Sequence, residues 1–213
     1  MVNQESIDRY INLMSEGQDE VLEWLEKQTN LRTNHSRMLS GAIVGRFLQF
    51  MAELMKAERI LEIGCFTGYS AICMARGLAE GGHLDTLEVN DELEDLIREA
   101  FERAGLTDRI RLMIGDAKAS LATLEGPYDL VYIDANKREY SEYFDLLIDK
   151  VRPGGYIMAD NVLWDGKVAM ENPPQDAQTV GLMRFNEKIK ADPRVENIIL
   201  PFRDGINMVR KRF

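Results

Sequence analysis

The feature that most constrains the fold of this chain is a regular alternation, from residue 58 onward, of short apolar segments with longer amphipathic ones. The apolar segments have the length of buried strands, and their sequences are RILEIG, HLDTLEV, IRLMIG, YDLVYID and YIMAD. The segments between them have helical periodicity and span 68–81, 91–105, 116–124 and 138–151. Strands that alternate with helices predict βαβ units and therefore a parallel sheet.

The C-terminal part of the chain predicts how this sheet ends. The triplet 153–155, Pro-Gly-Gly, predicts a sharp stop before the fifth strand. A last helix is expected at about 176–191, and the apolar segments VENIILPF and INMVRKR then flank an Asp204-Gly205 turn. This arrangement is typical of a hairpin, so we expect the sheet to end with one antiparallel strand. The predicted fold class is a doubly wound α/β domain.

The first 57 residues have a different character. ESIDRYINLMSEG and DEVLEWLEKQTN have the periodicity of amphipathic helices, and the polar segment LRTNHSRM follows them. Ser40 is then placed as the N-cap of a long helix, GAIVGRFLQFMAELMKA. We therefore predict one domain over residues 1–213, with a helical N-terminal extension at 1–57 and an α/β core at 58–213.

Composition limits the environment and the partners of the chain. Its net charge is −10, which disfavours non-specific binding to phosphate backbones. Its two cysteines, Cys65 and Cys73, lie in one turn and the following helix, so they indicate free thiols in a reducing compartment. The N-terminus is polar, and no apolar run reaches the roughly 18 residues needed to cross a bilayer. We expect a cytoplasmic protein without membrane contact.

The segment LEIGCFTGYS, residues 61–70, joins the first predicted strand to a helix through a glycine turn. A strand, a glycine turn and a helix in this order can cradle a small polar ligand. Dinucleotide-binding turns follow the pattern G-x-G-x-x-G, whose second glycine lets a pyrophosphate approach the backbone. Here Phe66 stands two residues after Gly64. A ligand without phosphates, such as S-adenosylmethionine, fits this turn better.

Acidic residues mark the carboxyl ends of the predicted strands, where ligands bind in such sheets. They are Glu62, Glu88, Asp116, Asp134 and Asp160. Five acids at one sheet edge should repel each other, so a hydroxyl-rich ligand or a cation is expected there. Glu88 follows Gly64 by 24 residues, which is the position of an acid that binds ribose hydroxyls. Asp116 could contact an adenine, or it could be the N-cap of the next helix.

The glycine turn with its downstream acid, together with YIDANK and ADN, resembles the cation-dependent O-methyltransferases, which include catechol and caffeoyl-coenzyme A methyltransferases. The resemblance covers the chain from about Leu31 to its C-terminus. It implies a Rossmann-like methyltransferase fold with a seven-stranded sheet and a reversed last strand. It also implies S-adenosylmethionine as cofactor, a divalent cation and a homodimer.

The resemblance also implies roles for individual residues. Those expected to bind S-adenosylmethionine are Met38, Ser40, Glu62, Gly64, Tyr69, Ser70, Glu88, Asp116, Ala117 and Asp134. Within this set, Glu62, Gly64, Tyr69 and Ser70 are implied for the methionine portion, Glu88 for the ribose, and Asp116 with Ala117 for the adenine. Asp134, Asp160 and Asn161 resemble metal ligands, and Lys137 resembles the catalytic base or its equivalent.

The chemistry of these residues agrees with the implied roles. Two carboxylates and one amide oxygen suit Mg²⁺, Mn²⁺ or Ca²⁺ rather than zinc. A divalent cation lowers the pKa of a bound hydroxyl, and an ammonium beside it should also have a lowered pKa, so Lys137 could take the proton. Trp164 could form a wall for an aromatic acceptor, or it could cover the edge of the core.

The sequence leaves several functions open. The first is methyl transfer to a hydroxyl of an aromatic diol. The same chemistry on a hydroxylated uridine of transfer RNA is a second, for which Arg32, His35 and Arg37 could form a local basic edge. A nicotinamide-dependent dehydrogenase is disfavoured by Phe66. A non-catalytic S-adenosylmethionine-binding module is disfavoured because binding alone does not require Lys137 and the metal ligands.

Overall fold

A computed structural model of the protein describes residues 4–34 and 38–213. Three helices precede the first strand, as the sequence predicts: α1 (Gln4–Met14), α2 (Glu20–Arg32) and α3 (Gly41–Met55). Asp19 starts α2, because its carboxylate accepts hydrogen bonds from the backbone N–H groups of Val21 and Leu22. Ser40 is the N-cap residue of α3, as predicted, but its side chain makes no capping hydrogen bond.

Seven strands form a single sheet among the described residues. They are β1 (Arg59–Ile63), β2 (His83–Glu88), β3 (Ile110–Ile114), β4 (Tyr128–Ile133), β5 (Val151–Ala159), β6 (Val195–Leu200) and β7 (Ile206–Lys211). Their order is β3-β2-β1-β4-β5-β7-β6. Strands β1 to β5 pair in parallel, whereas β7 is antiparallel to both β5 and β6. The prediction of a mostly parallel sheet with a reversed last strand is confirmed.

The predicted start of the fifth strand is wrong. Strand β5 begins at Val151 and contains Pro153, Gly154 and Gly155, rather than following them. Tyr128 pairs with Val151, and Leu130 already pairs with Tyr156, so the intervening residues form a bulge. A bulge leaves backbone groups outside the ladder, which accommodates a proline that has no N–H to donate.

Helices cover both faces of the sheet. The remaining five are α4 (Tyr69–Arg76), α5 (Glu94–Arg103), α6 (Ala117–Thr123), α7 (Tyr140–Leu147) and α8 (Ala177–Ala191). Helices α2 to α5 pack on one face, where Leu48, Ile72 and Leu130 belong to one buried cluster. Helices α6 to α8 pack on the other face, around Val131 and Phe144. Adjacent residues of β4 thus belong to opposite faces, which is why the strands have continuous apolar sequences.

The strand register determines which residues meet at the carboxyl edge of the sheet. Ile63 of β1 pairs with Leu87 and with Ile133, and Ile133 pairs with Ala159. One residue further along the chain, Gly64, Glu88, Asp134 and Asp160 therefore lie side by side at this edge. Four of the residues that the sequence singles out are brought together in this way.

Candidate active site

The glycine turn after β1 is held against two neighbouring strands. The backbone N–H groups of Gly64 and Cys65 both donate to the carbonyl oxygen of Leu87, at 3.0 and 3.1 Å. Gly64 has a φ of +96°, and a Cβ at this position would lie 2.1 Å from the carbonyl oxygen of Asp134. Only glycine fits both this conformation and this approach. The turn therefore rests directly on the end of β4.

Glu88 fixes the conformation of the turn from the side. Its carboxylate accepts hydrogen bonds from the backbone N–H of Phe66 at 2.6 Å and from that of Asn90 at 2.9 Å. Phe66 itself has a left-handed conformation with a φ of +50°. Two charge-assisted hydrogen bonds of this kind offset the free energy that the left-handed conformation of Phe66 costs. The acid predicted to bind ribose hydroxyls thus also supports the turn.

Glu62 lies beneath the turn and is fully buried. The hydroxyl groups of Ser70 and Thr86 donate to its two carboxylate oxygens, each at 2.5 Å. Burial raises the pKa of Glu62 to about 7, although the two hydrogen bonds lower it, and the nearby charges of Asp134 and Glu88 raise it further. Glu62 and Ser70, which are both implied for the methionine portion of the cofactor, are thus hydrogen-bonded to each other.

Asp134 and Lys137 form an ion pair at the end of β4. Lys137 Nζ donates to Asp134 Oδ1 at 2.6 Å and to the hydroxyl oxygen of Tyr140 at 2.8 Å. The Tyr140 hydroxyl also lies 3.1 Å from the carbonyl oxygens of Ile133 and Asp160. Tyr140 therefore joins the lysine to the ends of both β4 and β5.

The protonation of Lys137 differs from the expectation of a lowered pKa. Burial lowers the pKa of this lysine, but the Asp134 carboxylate and the Tyr140 hydroxyl raise it by more, so its pKa lies above its ordinary value. The expected lowering depended on a nearby divalent cation. In the protein alone, Lys137 is an ammonium that neutralises Asp134.

Asp160, at the end of β5, is nearly fully buried beside this pair. Its carboxylate accepts hydrogen bonds from the Tyr132 hydroxyl and from the backbone N–H of Asn161, both at 2.7 Å. Burial and the negative charge of Asp134 hold the pKa of Asp160 above its ordinary value. Asn161 follows with a φ of +56°, a conformation that asparagine tolerates better than most residues.

This corner of the sheet has the donor set of a hard cation. Within 4–34 and 38–213, no group of three or more His, Cys, Asp or Glu side chains could hold a metal ion. The predicted set is of another kind, since it combines the two carboxylates of Asp134 and Asp160 with the amide of Asn161. The negative charge of Asp134 raises the pKa of Asp160, and a cation near both carboxylates would relieve this repulsion. The residues present therefore fit Mg²⁺, Mn²⁺ or Ca²⁺.

Other predicted residues lie around this core of the site. Asp116 is confirmed as the N-cap of α6, because its side chain accepts from the backbone N–H of Ala119 at 2.9 Å, and Ala117 begins that helix. Ser40 is buried, and its side chain is close enough to lower the pKa of Tyr132, whereas Met38 is exposed. These positions leave the implied cofactor contacts of all four as predictions.

The polar groups of two aromatic residues, Tyr69 and Trp164, differ in their hydrogen bonding. The hydroxyl of Tyr69 donates to Gln18 at 2.7 Å. Trp164 is half-buried and packs against the cluster around Val131. Its indole Nε1 is buried and has no hydrogen-bond partner.

The basic edge considered for RNA is described only in part. Arg32 pairs with Glu99, and His35 and Arg37 lie outside the described residues.

Sequence analysis missed three residues of this site. Tyr132 and Tyr140 stand in apolar segments and have the pattern of core residues, yet their hydroxyl groups bind Asp160 and Lys137. Tyr140 follows Lys137 by three residues at a helix start, a spacing that could have indicated contact. Asp204, in the β6–β7 turn, is close enough to Lys137 for the lysine to lower its pKa, although burial raises that pKa overall.

Comparison with known proteins places this geometry in context. The model of a family described as O-methyltransferase matches residues 12–212. A catechol O-methyltransferase of Niastella koreensis is 38% identical over 201 residues, which cover 92% of this chain and 90% of that protein. Caffeoyl-CoA O-methyltransferase 2 of Petunia hybrida is 35% identical over 188 residues, or 82% of this chain and 76% of that protein.

Solved structures give the same result. An O-methyltransferase from Bacillus cereus in complex with SAH has a TM-score of 0.90 at 35% identity and covers 97% of each chain. The O-methyltransferase TomG from Streptomyces achromogenes, involved in tomaymycin synthesis and in complex with SAM, has a TM-score of 0.92 at 30% identity and covers 100% of each chain. In the part of this chain that the structure describes, no helix combines the length and apolar character of a membrane span.

Proposed function

The chain belongs to the O-methyltransferase family, and we propose that it transfers a methyl group from S-adenosylmethionine to a hydroxyl of a catechol-like aromatic molecule, assisted by a divalent cation. One observation carries the proposal. The glycine turn contacts the backbone of Asp134, whose side chain pairs with Lys137 and acts electrostatically on Asp160. A cofactor at the turn and an acceptor beside these acids would thus be neighbours.

The cofactor would bind along the carboxyl edge of β1, β2 and β3. The turn at Gly64 offers a close approach to the backbone, and Glu88 is nearly buried but lies at the edge where ribose hydroxyls would reach it. Asp116 and Ala117, at the start of α6, would contact the adenine. Phe66 in the turn supports a ligand without a pyrophosphate.

Asp134, Asp160 and Asn161 would hold the cation. Mg²⁺, or Mn²⁺ or Ca²⁺ in its place, lowers the pKa of a coordinated hydroxyl and so favours the oxyanion of an acceptor. The Tyr132 hydroxyl orients the Asp160 carboxylate at 2.7 Å. A hydrogen-bonded ligand of this kind is held in a fixed orientation toward the metal.

Lys137 is proposed as the catalytic base or its equivalent. Its Nζ is held at one point by Asp134 and Tyr140, and it is nearly buried among acids. An acceptor hydroxyl placed beside Asp134 would therefore meet a fixed nitrogen, which could take its proton once a bound cation had lowered the pKa of Lys137. Positioning the two reactants in contact would supply much of the acceleration.

Trp164 would form part of the acceptor site. Its Nε1–H is buried without a partner, and it follows Asn161 by three residues. An unpaired buried donor is costly, and an oxygen of the bound acceptor would satisfy it. The indole ring would pack on an aromatic acceptor.

Two further features complete the proposal. Helix α1 exposes Tyr10, Leu13 and Met14, and a homodimer would cover apolar surface of this kind. The cysteines Cys65 and Cys73 are both free and buried, which suits a cytoplasmic location.

The proposal is tested by incubating the purified protein with labelled S-adenosylmethionine and a panel of catechols, in Mg²⁺ or in EDTA. The variants are Asp160→Ala and Asn161→Ala, with Asp149→Ala as a control because the side chain of Asp149 is 85% exposed. We expect transfer only with the cation, and its loss in both site variants but not in the control. Transfer that persists in EDTA would overturn the metal mechanism, and cofactor binding without transfer to any catechol would overturn the acceptor class.

A further inference from the structure

Two arginines stand apart from the others in their surroundings. The remaining arginines of the described ranges each bind a carboxylate, a side-chain amide or a backbone carbonyl, as Arg111 does with Asp85 and Arg109 does with Ala79. Across residues 4–34 and 38–213, Arg138 and Arg184 have guanidinium groups without any hydrogen bond, ion pair or ring contact. Both line the same cleft.

The cleft has a volume of about 420 Å³ and lies between α8 and the first turn of α7 with the residues just before it. Arg138 and Ser141 line one side at helical spacing, and Gly181 and Arg184 line the other. Gly181 allows α8 to approach closely, because a Cβ there would lie 2.8 Å from the carbonyl oxygen of Lys137. The two arginines are thus presented by two elements that are packed tightly against each other.

The side chains that line the cleft carry two positive charges, on Arg138 and Arg184, against one negative charge on Glu142. Glu142 also lines it, but its carboxylate is paired with Lys118 at 3.0 Å. Lys118 also binds Glu139 at 2.8 Å, so these three residues form a network in which one lysine serves two carboxylates. The Ser141 hydroxyl has no partner among the described residues and adds a further donor. Two arginines without partners in one cleft are unusual on a chain of net charge −10, where acids outnumber bases.

We propose that this cleft binds the oxyanion of a small molecule, a phosphate or a carboxylate group, through Arg138 and Arg184. A guanidinium offers two parallel N–H donors to such a group, and two guanidinium groups from facing elements can clamp it. Both arginines are exposed, so an anion in solution can reach their guanidinium groups. The pair shares one cleft with the free hydroxyl of Ser141, and the Glu142 carboxylate that also lines the cleft is paired with Lys118.

Two sources of this oxyanion are possible in chemical terms. One is a free anion in solution. The other is an anionic tail on the acceptor, because the loop 164–175 connects Trp164 at the proposed acceptor site to Gln175 at the cleft. Only the second source rests on the proposed function.

Binding of inorganic phosphate to the full chain, measured by calorimetry, tests the site itself. The test variant is Arg138→Gln/Arg184→Gln. The control is Arg9→Gln/Arg98→Gln, which also removes two positive charges, but from exposed ion pairs with Glu5 and Glu94. We expect saturable binding whose Kd rises at least about tenfold in the test variant and stays within about twofold in the control. Absence of saturable binding, or an equal loss in the control, would overturn the proposal.

Methyl transfer then separates the two sources, with a neutral catechol and a catechol that carries a phosphate ester on an alkyl chain as acceptors. A tail-binding role raises KM in the test variant for the phosphorylated acceptor alone. A free-anion role leaves both KM values unchanged while the phosphate Kd rises. Failure of methyl transfer in every protein would count against the proposed function and leave the calorimetric result standing.

Discussion

A Cβ atom at Gly64 would lie 2.1 Å from the carbonyl oxygen of Asp134. The turn proposed to hold the cofactor and the strand end proposed to hold the cation are therefore in backbone contact. Backbone atoms cannot move aside as the end of a flexible side chain can. The two halves of the site share one rigid junction, and a change at Gly64 should affect both.

We expect Gly64→Ala to destabilise the fold by about 3 kcal/mol or more, because it combines a left-handed φ with a clash against backbone. Gly166→Ala is the matched control, since Gly166 has a φ of +75° but open space around its Cβ position. Strain alone should cost about 1 to 2 kcal/mol there. Urea unfolding measures the free energy of unfolding of both variants, and equal losses of stability would contradict the clash at Gly64.

The Tyr140 hydroxyl is expected to position Lys137 in the reaction. Tyr140→Phe keeps the ring, which packs edge-on against Phe185 at 5.4 Å, and removes only the hydroxyl that holds Lys137 Nζ. We expect kcat to fall about tenfold to a hundredfold, as for other residues that orient a site, with the cofactor Kd nearly unchanged. Steady-state kinetics and calorimetry provide the two values.

Tyr143→Phe is the control for this experiment. Tyr143 lies on the same helix in the same buried cluster, and its hydroxyl binds Glu139 at 2.6 Å, away from Lys137. It should lose a similar amount of stability while keeping its kcat. If both variants lost activity alike, the effect of Tyr140 would be one of packing and not of position.

The order of the helices and strands could be predicted because local periodicity determines it, and the residues at the carboxyl edge of the sheet follow from that order. Once five parallel strands are placed, Gly64, Glu88, Asp134 and Asp160 must come to one edge, and the register confirms this. The stop at 153–155 was wrong because proline and glycine mark irregular backbone without distinguishing a loop from a bulge inside a strand.

The finer structure of the site could not be predicted, because it depends on side-chain directions. Tyr132 and Tyr140 have the sequence environment of core residues, and only their position in the fold shows that their hydroxyl groups reach Asp160 and Lys137. The pKa of Lys137 likewise depends on the balance between its burial and the charge of Asp134, which spacing does not contain. The position of Arg138 opposite Arg184 depends on the packing of α8.

Glu62 should give the fold a distinct dependence on pH. Its pKa rises from an ordinary 4.5 to about 7 in the folded protein, so the folded state holds a proton that the unfolded state releases. The free energy of unfolding should therefore fall as pH increases from about 4.5 to 7, by at most about 3 kcal/mol from this group. In Glu62→Gln this fall should be absent.

Urea unfolding of both proteins across this pH range measures the effect as the difference between them, which should grow in favour of the variant toward pH 7. The same exchange at the exposed Glu102 controls for the loss of a carboxylate in general. A constant difference between wild type and Glu62→Gln at all pH values would show that Glu62 does not retain its proton in the folded state.

The unpaired Nε1 of Trp164 leads to a prediction about the acceptor. Trp164→Phe removes a buried donor that has no partner in the free protein, so it breaks no hydrogen bond there. In the complex it would remove the proposed bond to the acceptor. We expect KM for catechols to rise about tenfold while the cofactor Kd stays the same.

The second tryptophan of the chain makes the contact directly observable. Trp24 lies on α2, where Arg103 covers its ring at 4.2 Å from the ring centre. In Trp24→Phe, Trp164 is the remaining fluorophore of its kind. A catechol that packs on this indole should quench its emission with a midpoint near KM. Unchanged emission at saturating catechol would remove Trp164 from the acceptor site and assign it to the edge of the core.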